Sequence, residues 1–421
     1  MDIEQLTRTR QDAFAGPNRV YIARQAIYDR DLNACAYELL YRSSATATQA
    51  SLTTGDLADA SRDTIVGAIC EIGLERLAGN LPCFINVEEH VLTSRACLHL
   101  PKDRIVIEIL ENVSPTRTVF ERIEELIDAG FRIALDDFVD SRAWAPIAKI
   151  AHIIKVDILH RSLDEISAFH NRLERYPGAL LAEKVETHAQ LNHCRALGFH
   201  YFQGFFLCRP DTIEGNRVPE VRLQQIRLLA EIQGPNRSFE ELERTVRADP
   251  GLSIKLLRFL NSAAVALPHR VESLRQALVF AGIHRLRAWL SFFVMSRLSS
   301  ASGELLRLTM VRARMCELLA QAKRRSDDDA FFTVGLLSTM DALAGQPMDD
   351  LLEKLPLSEA MNLALRDHSG DLGAALSCAI AFERADWSQV MCSTLDPSTI
   401  SAAYLEAVRW AESTEQELAD G

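Results

Sequence analysis

In the first half of the chain, short apolar runs end one after another in residues that cost free energy to bury. They are Glu38, then Asn86, Glu108 with Glu111, Asp136 with Asp137, Lys155 with Asp157, Glu183 with Glu186, and Gln203. Any one of them alone reads as a solvated strand end. Repetition over successive runs is a pattern. Carboxylates crowded into one place repel and partly protonate, and a cation relieves both effects. Oxygen donors from Asp, Glu and Asn suit Mg²⁺ or Mn²⁺ better than Zn²⁺. Adjacent acids such as Asp136 and Asp137 can serve two ions, and two ions about 3.5–4 Å apart are a device for cleaving phosphodiesters.

Such a cluster needs a scaffold that brings many strand ends together. The runs RVYIARQAIY (19–28), ACAYELLYR (34–42), PCFINVE (82–88), RIVIEIL (104–110), FRIALDD (131–137), HIIKVDI (152–158), ALLAEKV (179–185) and FHYFQGFF (199–206) are short and rich in Ile, Val and Phe, as buried strands are. DRDLN joins the first two as a hairpin turn. Helical stretches such as TVFERIEELIDAG and THAQLNHCRALG, each closed by glycine, separate most of the others. The expected fold class is therefore α/β plus all-α. A TIM-like (β/α)8 barrel, with a first strand that can run antiparallel, carries its chemistry at the C-terminal strand ends. From about Val221 the strands stop, and helical text broken at Gly234-Pro235, Asp249-Pro250-Gly251, Pro268, Gly282 and Pro356 runs on as a separate all-α domain.

Composition narrows the setting. The chain has 421 residues, 48% of them hydrophobic and 25% charged, which are globular values. A net charge of −12 argues against broad nucleic-acid binding. Nine cysteines without a CxxC pair suggest reduced thiols and a cytoplasmic protein. No run approaches the roughly 20 apolar residues of a membrane span, and MDIEQLTRTRQDAFAG lacks the apolar core of a secretory signal.

The motifs YELLYR, FINV, IEILE, ALDDF, IIKVD, LLAEKVET and FQGFFLCRP resemble, in order, those of EAL domains, barrels that bind or hydrolyse cyclic di-GMP. The resemblance covers about residues 20–211. It implies a first metal on Glu38, Asn86, Glu108 and Asp136, and a second on Asp136, Asp137 and Glu183, with Mg or Mn as the two ions. Lys155 would position or polarise the attacking water, and Glu183 would help deprotonate it. Gln25 and Arg42 would contact the nucleotide, Glu186 and Gln203 would contact it or support the site, and Glu111 would brace the loop after the fifth strand. The implied reaction converts cyclic di-GMP to linear pGpG. Four positions depart from the family pattern. DDFVDSRAWAP has Val139 where a Gly/Thr-rich loop begins, Leu39 replaces Ala, Ala26 replaces Pro, and Lys184 replaces Gly. Lys184 either partly replaces a cation or points away. Two readings follow: an active phosphodiesterase, or a receptor that binds without cleaving.

TVRADPGLSIKLLRFLNSA and VESLRQALVFAGIHRLRAWL resemble the HDOD domain, a helical relative of the HD phosphohydrolases, over about residues 221–410. The domain plan is a segment 1–19, the barrel 20–211, a linker 212–235 and the HDOD domain 236–421. HD hydrolases need a His-Asp pair, yet the equivalent helix FFTVGLLSTMDAL reads Ser338-Thr339, with Asp341 nearby. His269, His284 and His368 are isolated and are expected to carry no chemistry. The helical half is then an interaction module, leaving room for a protein partner and for a homodimer.

Overall fold

The computed structural model describes residues 21–42, 74–138, 142–205, 220–233, 238–261, 271, 273–298, 303–390 and 395–419. Arg42 is included as backbone only. Val139 and His269 lie outside the described residues.

The eight expected strands all form: β1 Tyr21–Tyr28, β2 Ala34–Arg42, β3 Cys83–Val87, β4 Ile105–Ile109, β5 Arg132–Leu135, β6 Ile153–Asp157, β7 Ala179–Glu183 and β8 Tyr201–Phe202. They close in sequence order into a barrel. β1 pairs antiparallel with both β2 and β8, and the other neighbours are parallel. The β1–β2 hairpin turns on Asp29, whose carboxylate accepts from the backbone N–H groups of Asp31 and Asn33, both at 2.9 Å.

Helices α1 Leu74–Ala78, α2 Glu89–Thr93, α3 Arg117–Asp128, α4 Ala145–Ala148, α5 Leu163–Leu173 and α6 His188–Leu197 connect the strands. Ser162 and Thr187 open α5 and α6 with reciprocal capping boxes. Gly198, at φ 102°, closes α6 in the left-handed conformation that glycine adopts without strain.

Side chains alternate between the two faces of a strand. One set, Ile27, Ala36, Phe84, Val106, Ala134, Ile153 and Leu181 with the partly buried Tyr201, packs as an apolar cluster within the barrel. It forms the floor on which the polar residues stand.

The second compact unit lies within residues 206–382 and 389–421. Its first helices are α7 Glu220–Gln233, α8 Phe239–Arg247, α9 Pro250–Leu260, α10 Leu274–Leu298, α11 Gly303–Ala322 and α12 Asp328–Leu337, and further helices follow to Pro397–Ala419. Of the breaks read in the sequence, Gly234-Pro235 and Pro268 lie outside the described residues, and the others are physical. Asp249 caps α9 with Pro250 in its first turn, and Gly282 (φ 79°, ψ 164°) kinks α10. Among the described residues, no helix is long and apolar enough to cross a membrane.

Two outcomes test this architecture. Gly204 sits at φ 149°, and a Cβ there would fall on the backbone of Val185. Gly204→Ala is expected to cost about 2–4 kcal/mol in urea unfolding through strain and overpacking, and a neutral result would refute the close approach. In the helical unit Arg297 binds Asp249 and holds its carboxyl below the usual range. The native-over-Asp249→Asn stability difference should be full above the unfolded carboxyl value, about pH 4, and close as pH falls through the depressed folded value. Thermal melts across that range measure it, and a pH-independent difference would remove the charge from the account.

Candidate metal centre

Two residues up each parallel strand from the apolar floor stands one polar side chain. Ala36 is followed by Glu38, Phe84 by Asn86, Val106 by Glu108, Ala134 by Asp136, Ile153 by Lys155, Leu181 by Glu183 and Tyr201 by Gln203. On antiparallel β1 the step runs backwards, from Ile27 to Gln25, and Gln25 is the register partner of Glu38. Period-two alternation therefore aims all eight polar side chains into the mouth.

Their contacts form one connected network. Lys155 Nζ lies 2.6 Å from Glu183, 3.1 Å from Asp136 and 3.5 Å from Glu38, and it also binds Glu108 Oε1. Gln203 Nε2 donates to Glu38 Oε2 at 2.6 Å and to Gln25 Oε1 at 3.1 Å. Asn86 Nδ2 donates to Glu38 Oε1 at 3.4 Å. The backbone holds the rim in place: Gln203 N donates to Ala182 O, Val185 N to Gln203 O, and Asp136 N to Ile109 O.

Burial sets the electrostatics. Lys155 is 1% exposed and Glu108 is fully buried. Burial alone would drive the Lys155 ammonium to lose its proton. Glu108, Glu38, Glu183 and Asp136 outweigh it and hold the group well above the ordinary lysine value. Burial, with the charge of Glu38, pushes the Glu108 carboxyl well up. Burial pushes Glu183 up to about 8 against the pull of Lys155. Asp137 is raised by burial and by the adjacent Asp136.

Two carboxylate groups are close enough to share an ion. In each, Glu38–Glu108–Glu183 and Asp136–Asp137–Glu183, ligand atoms lie within 4.8 Å of one another, and Glu183 belongs to both. Glu108 Oε2, Asp137 Oδ1 and Gln203 Oε1 are buried without a hydrogen-bond partner. Buried oxygens lacking donors, in an all-oxygen set, fit a hard divalent cation.

The other expected site residues lie around this centre. Asp137 is in the turn after β5 at φ 39°, out of the alternating phase. Glu111 is exposed beyond β4 and lines a cleft of about 80 Å³ with Asp136, Asp137, Phe138 and Trp144. Glu186, expected to contact the nucleotide or support the site, belongs to neither carboxylate group. It precedes α6, and its backbone N–H donates to Gln190. The spacing 183/186 is misleading because the strand ends at Glu183 and the alternation ends with it. Lys184 stands at φ 53° and binds Asp157 Oδ2 at 2.6 Å. Asp157, two residues beyond Lys155 on β6, shares its inward phase but belongs to neither carboxylate group and pairs with Lys184 instead.

In the helical unit, the positions equivalent to the His-Asp pair are closed by hydrogen bonds. Ser338 Oγ donates to Gly335 O and accepts from Arg312. Thr339 is fully buried, and its hydroxyl meets that of Thr309 at 2.6 Å. Asp341 accepts from the backbone N–H of Ala342. His368 ends a helix in the left-handed conformation. Among the described residues, the groupings of three or more possible metal ligands are confined to the barrel.

A closed β/α barrel with an inward polar layer of this composition is what the resemblance to EAL domains implies. HDOD is the domain family that matches residues 218–367. The chain is 35% identical over 403 residues to cyclic di-GMP phosphodiesterase CdgJ of Vibrio cholerae, covering 93% of this chain and 92% of that one. It is 30% identical to the uncharacterized protein YuxH of Bacillus subtilis, covering 93% and 98%. The chain belongs to this family, in which an EAL barrel precedes an HDOD domain. Among solved structures, an EAL-domain protein from Listeria monocytogenes matches 49% of this chain and 93% of its own at 24% identity, with a TM-score of 0.36.

Removing the central ammonium while keeping its bulk isolates its role. Lys155→Met is expected to destabilise the barrel by about 3–5 kcal/mol in chelator, because it leaves buried carboxylates uncompensated. Urea unfolding measures this, and native-like stability would show that Lys155 does not balance the cluster.

Proposed function

We propose that the barrel hydrolyses one phosphodiester of cyclic di-GMP to linear pGpG with Mg²⁺ or Mn²⁺, and that the HDOD domain regulates it or docks a partner. The observation that carries the proposal is the inward layer, in which a buried lysine stands among four carboxylates while Glu108 Oε2 lacks a donor. The name of the CdgJ relative, matched over nearly its whole length, supports it.

In this reading Glu38, Asn86, Glu108 and Asp136 would hold one ion, and Asp136, Asp137 and Glu183 would hold a second. When bound, such ions lower the pKa of water and offset charge on the phosphate. Lys155 keeps its proton, so it acts as a fixed positive donor that orients the attacking water and steadies developing negative charge. Glu183 is the acceptor for that water's proton. Gln25, Arg42 and Gln203 contact the nucleotide. Glu186 supports the rim from the start of α6, and Glu111 braces the loop after β5. We take residues 20–211 as the barrel domain, 212–235 as the linker and 236–421 as the HDOD domain, and the cytoplasm as the site of action. The described cysteines are free thiols, consistent with that compartment.

The test is to incubate the full chain with cyclic di-GMP and Mn²⁺ and look for pGpG. The native chain should form it, and Glu38→Ala should lose it by at least about 10²-fold, since displacing a reacting group by about 1 Å already costs that much. Tight nucleotide binding without pGpG would replace the hydrolase with a receptor. Unchanged turnover in Glu38→Ala would remove Glu38 from the centre.

A further inference from the structure

Lys184 puts a second cationic side chain at the barrel mouth. Its ammonium lies 2.6 Å from Asp157 Oδ2, and Asp157 is the register partner of Glu183, the carboxylate common to both metal groups. Lys184 also follows Glu183 directly in the chain. Its backbone, at φ 53°, takes a left-handed conformation that is strained for a non-glycine residue. An ordinary strand residue at this point would face away from Glu183. The left-handed turn breaks the alternation and lets the side chain reach Asp157 instead.

The charge acts beyond the contact. Asp137 and Glu183, both members of the Asp136–Asp137–Glu183 group, lie within range of that charge. The two halves of the cluster therefore differ. Lys155 is buried and walled in by its four carboxylates. Lys184 is about half exposed, with a flexible stem, so it can yield its place at a cost.

We propose that Lys184 is a built-in competitor for the Asp136–Asp137–Glu183 group, so that the protein holds one divalent ion firmly at Glu38, Asn86, Glu108 and Asp136 and a second only weakly. This rests on the metal-dependent reading above and specifies how its two subsites differ. A positive charge close to a dication raises the free energy of the dication even where water screens both, and at a protein surface the interaction is large enough to change affinity by about tenfold or more. Lys184 would thereby set the cation concentration at which the mouth is fully loaded.

Calorimetric titration of the chelator-stripped full chain with Mn²⁺, without nucleotide, reads the two affinities directly. The native chain should bind one ion, with a second at least about tenfold weaker. Lys184→Met, which keeps the bulk and removes the charge, should tighten the second event by about that factor and leave the first within about twofold. Lys184→Gly, which also relieves the left-handed backbone, should do the same, while Lys184→Arg should keep the native isotherm. Two equally tight ions in the native chain, or an unchanged second event in both Lys184→Met and Lys184→Gly, would overturn the competitor role while leaving the metal centre standing. No Mn²⁺ binding by the native chain would overturn the metal-dependent reading and the competitor role together.

Discussion

The fold tolerates its own centre because one ammonium group is buried among four carboxylates. Glu108 is fully enclosed, and burial with the charge of Glu38 pushes its carboxyl well up, a push that a positive neighbour opposes. Lys155 supplies that neighbour from the adjoining region of the barrel, and Gln203 and Asn86 spend their amide donors on Glu38. Strand register, rim hydrogen bonds and the glycine at 204 all keep these side chains at one height. A slip of one residue in any strand would send its polar group outward and an apolar one into the cluster.

Much of this is legible in the sequence because strand alternation is arithmetic. Once eight apolar runs are recognised, the residue two steps beyond the floor position of each is fixed, and β1 obeys the same rule in reverse. The inference weakens where regular structure ends. Glu183 and Glu186 look like a pair, but the chain turns between them, and only Glu183 joins the metal groups. Asp137 and Lys184 have positive φ, a backbone state that no periodic pattern announces. The ion pair between Lys184 and Asp157 joins neighbouring strands far apart in sequence, and a local reading cannot see it.

The helical half was legible in a different way. Among the described residues its breaks fall at glycine and proline, with Asp249 capping α9 at Pro250 and Gly282 bending α10. Its lack of a His-Asp pair is more than a substitution of letters. Ser338 and Thr339 have been absorbed into the packing, with each hydroxyl satisfied by a neighbour. Restoring the two ligands there would first require dismantling a hydrogen-bonded core.

The apolar floor gives the barrel a further property. Ile27, Phe84, Val106, Ile153 and Leu181 close it beneath the polar layer, so the cluster lies at the bottom of a blind cup and not along a channel. Among the described residues, an occupant would have to enter and leave on the polar side, because the floor bars the other. A small ion at the bottom with a larger guest above it would then exchange as a stack, first in and last out. Departure of the guest, and not the strength of the ion's own ligands, would set how quickly the bottom position can refill.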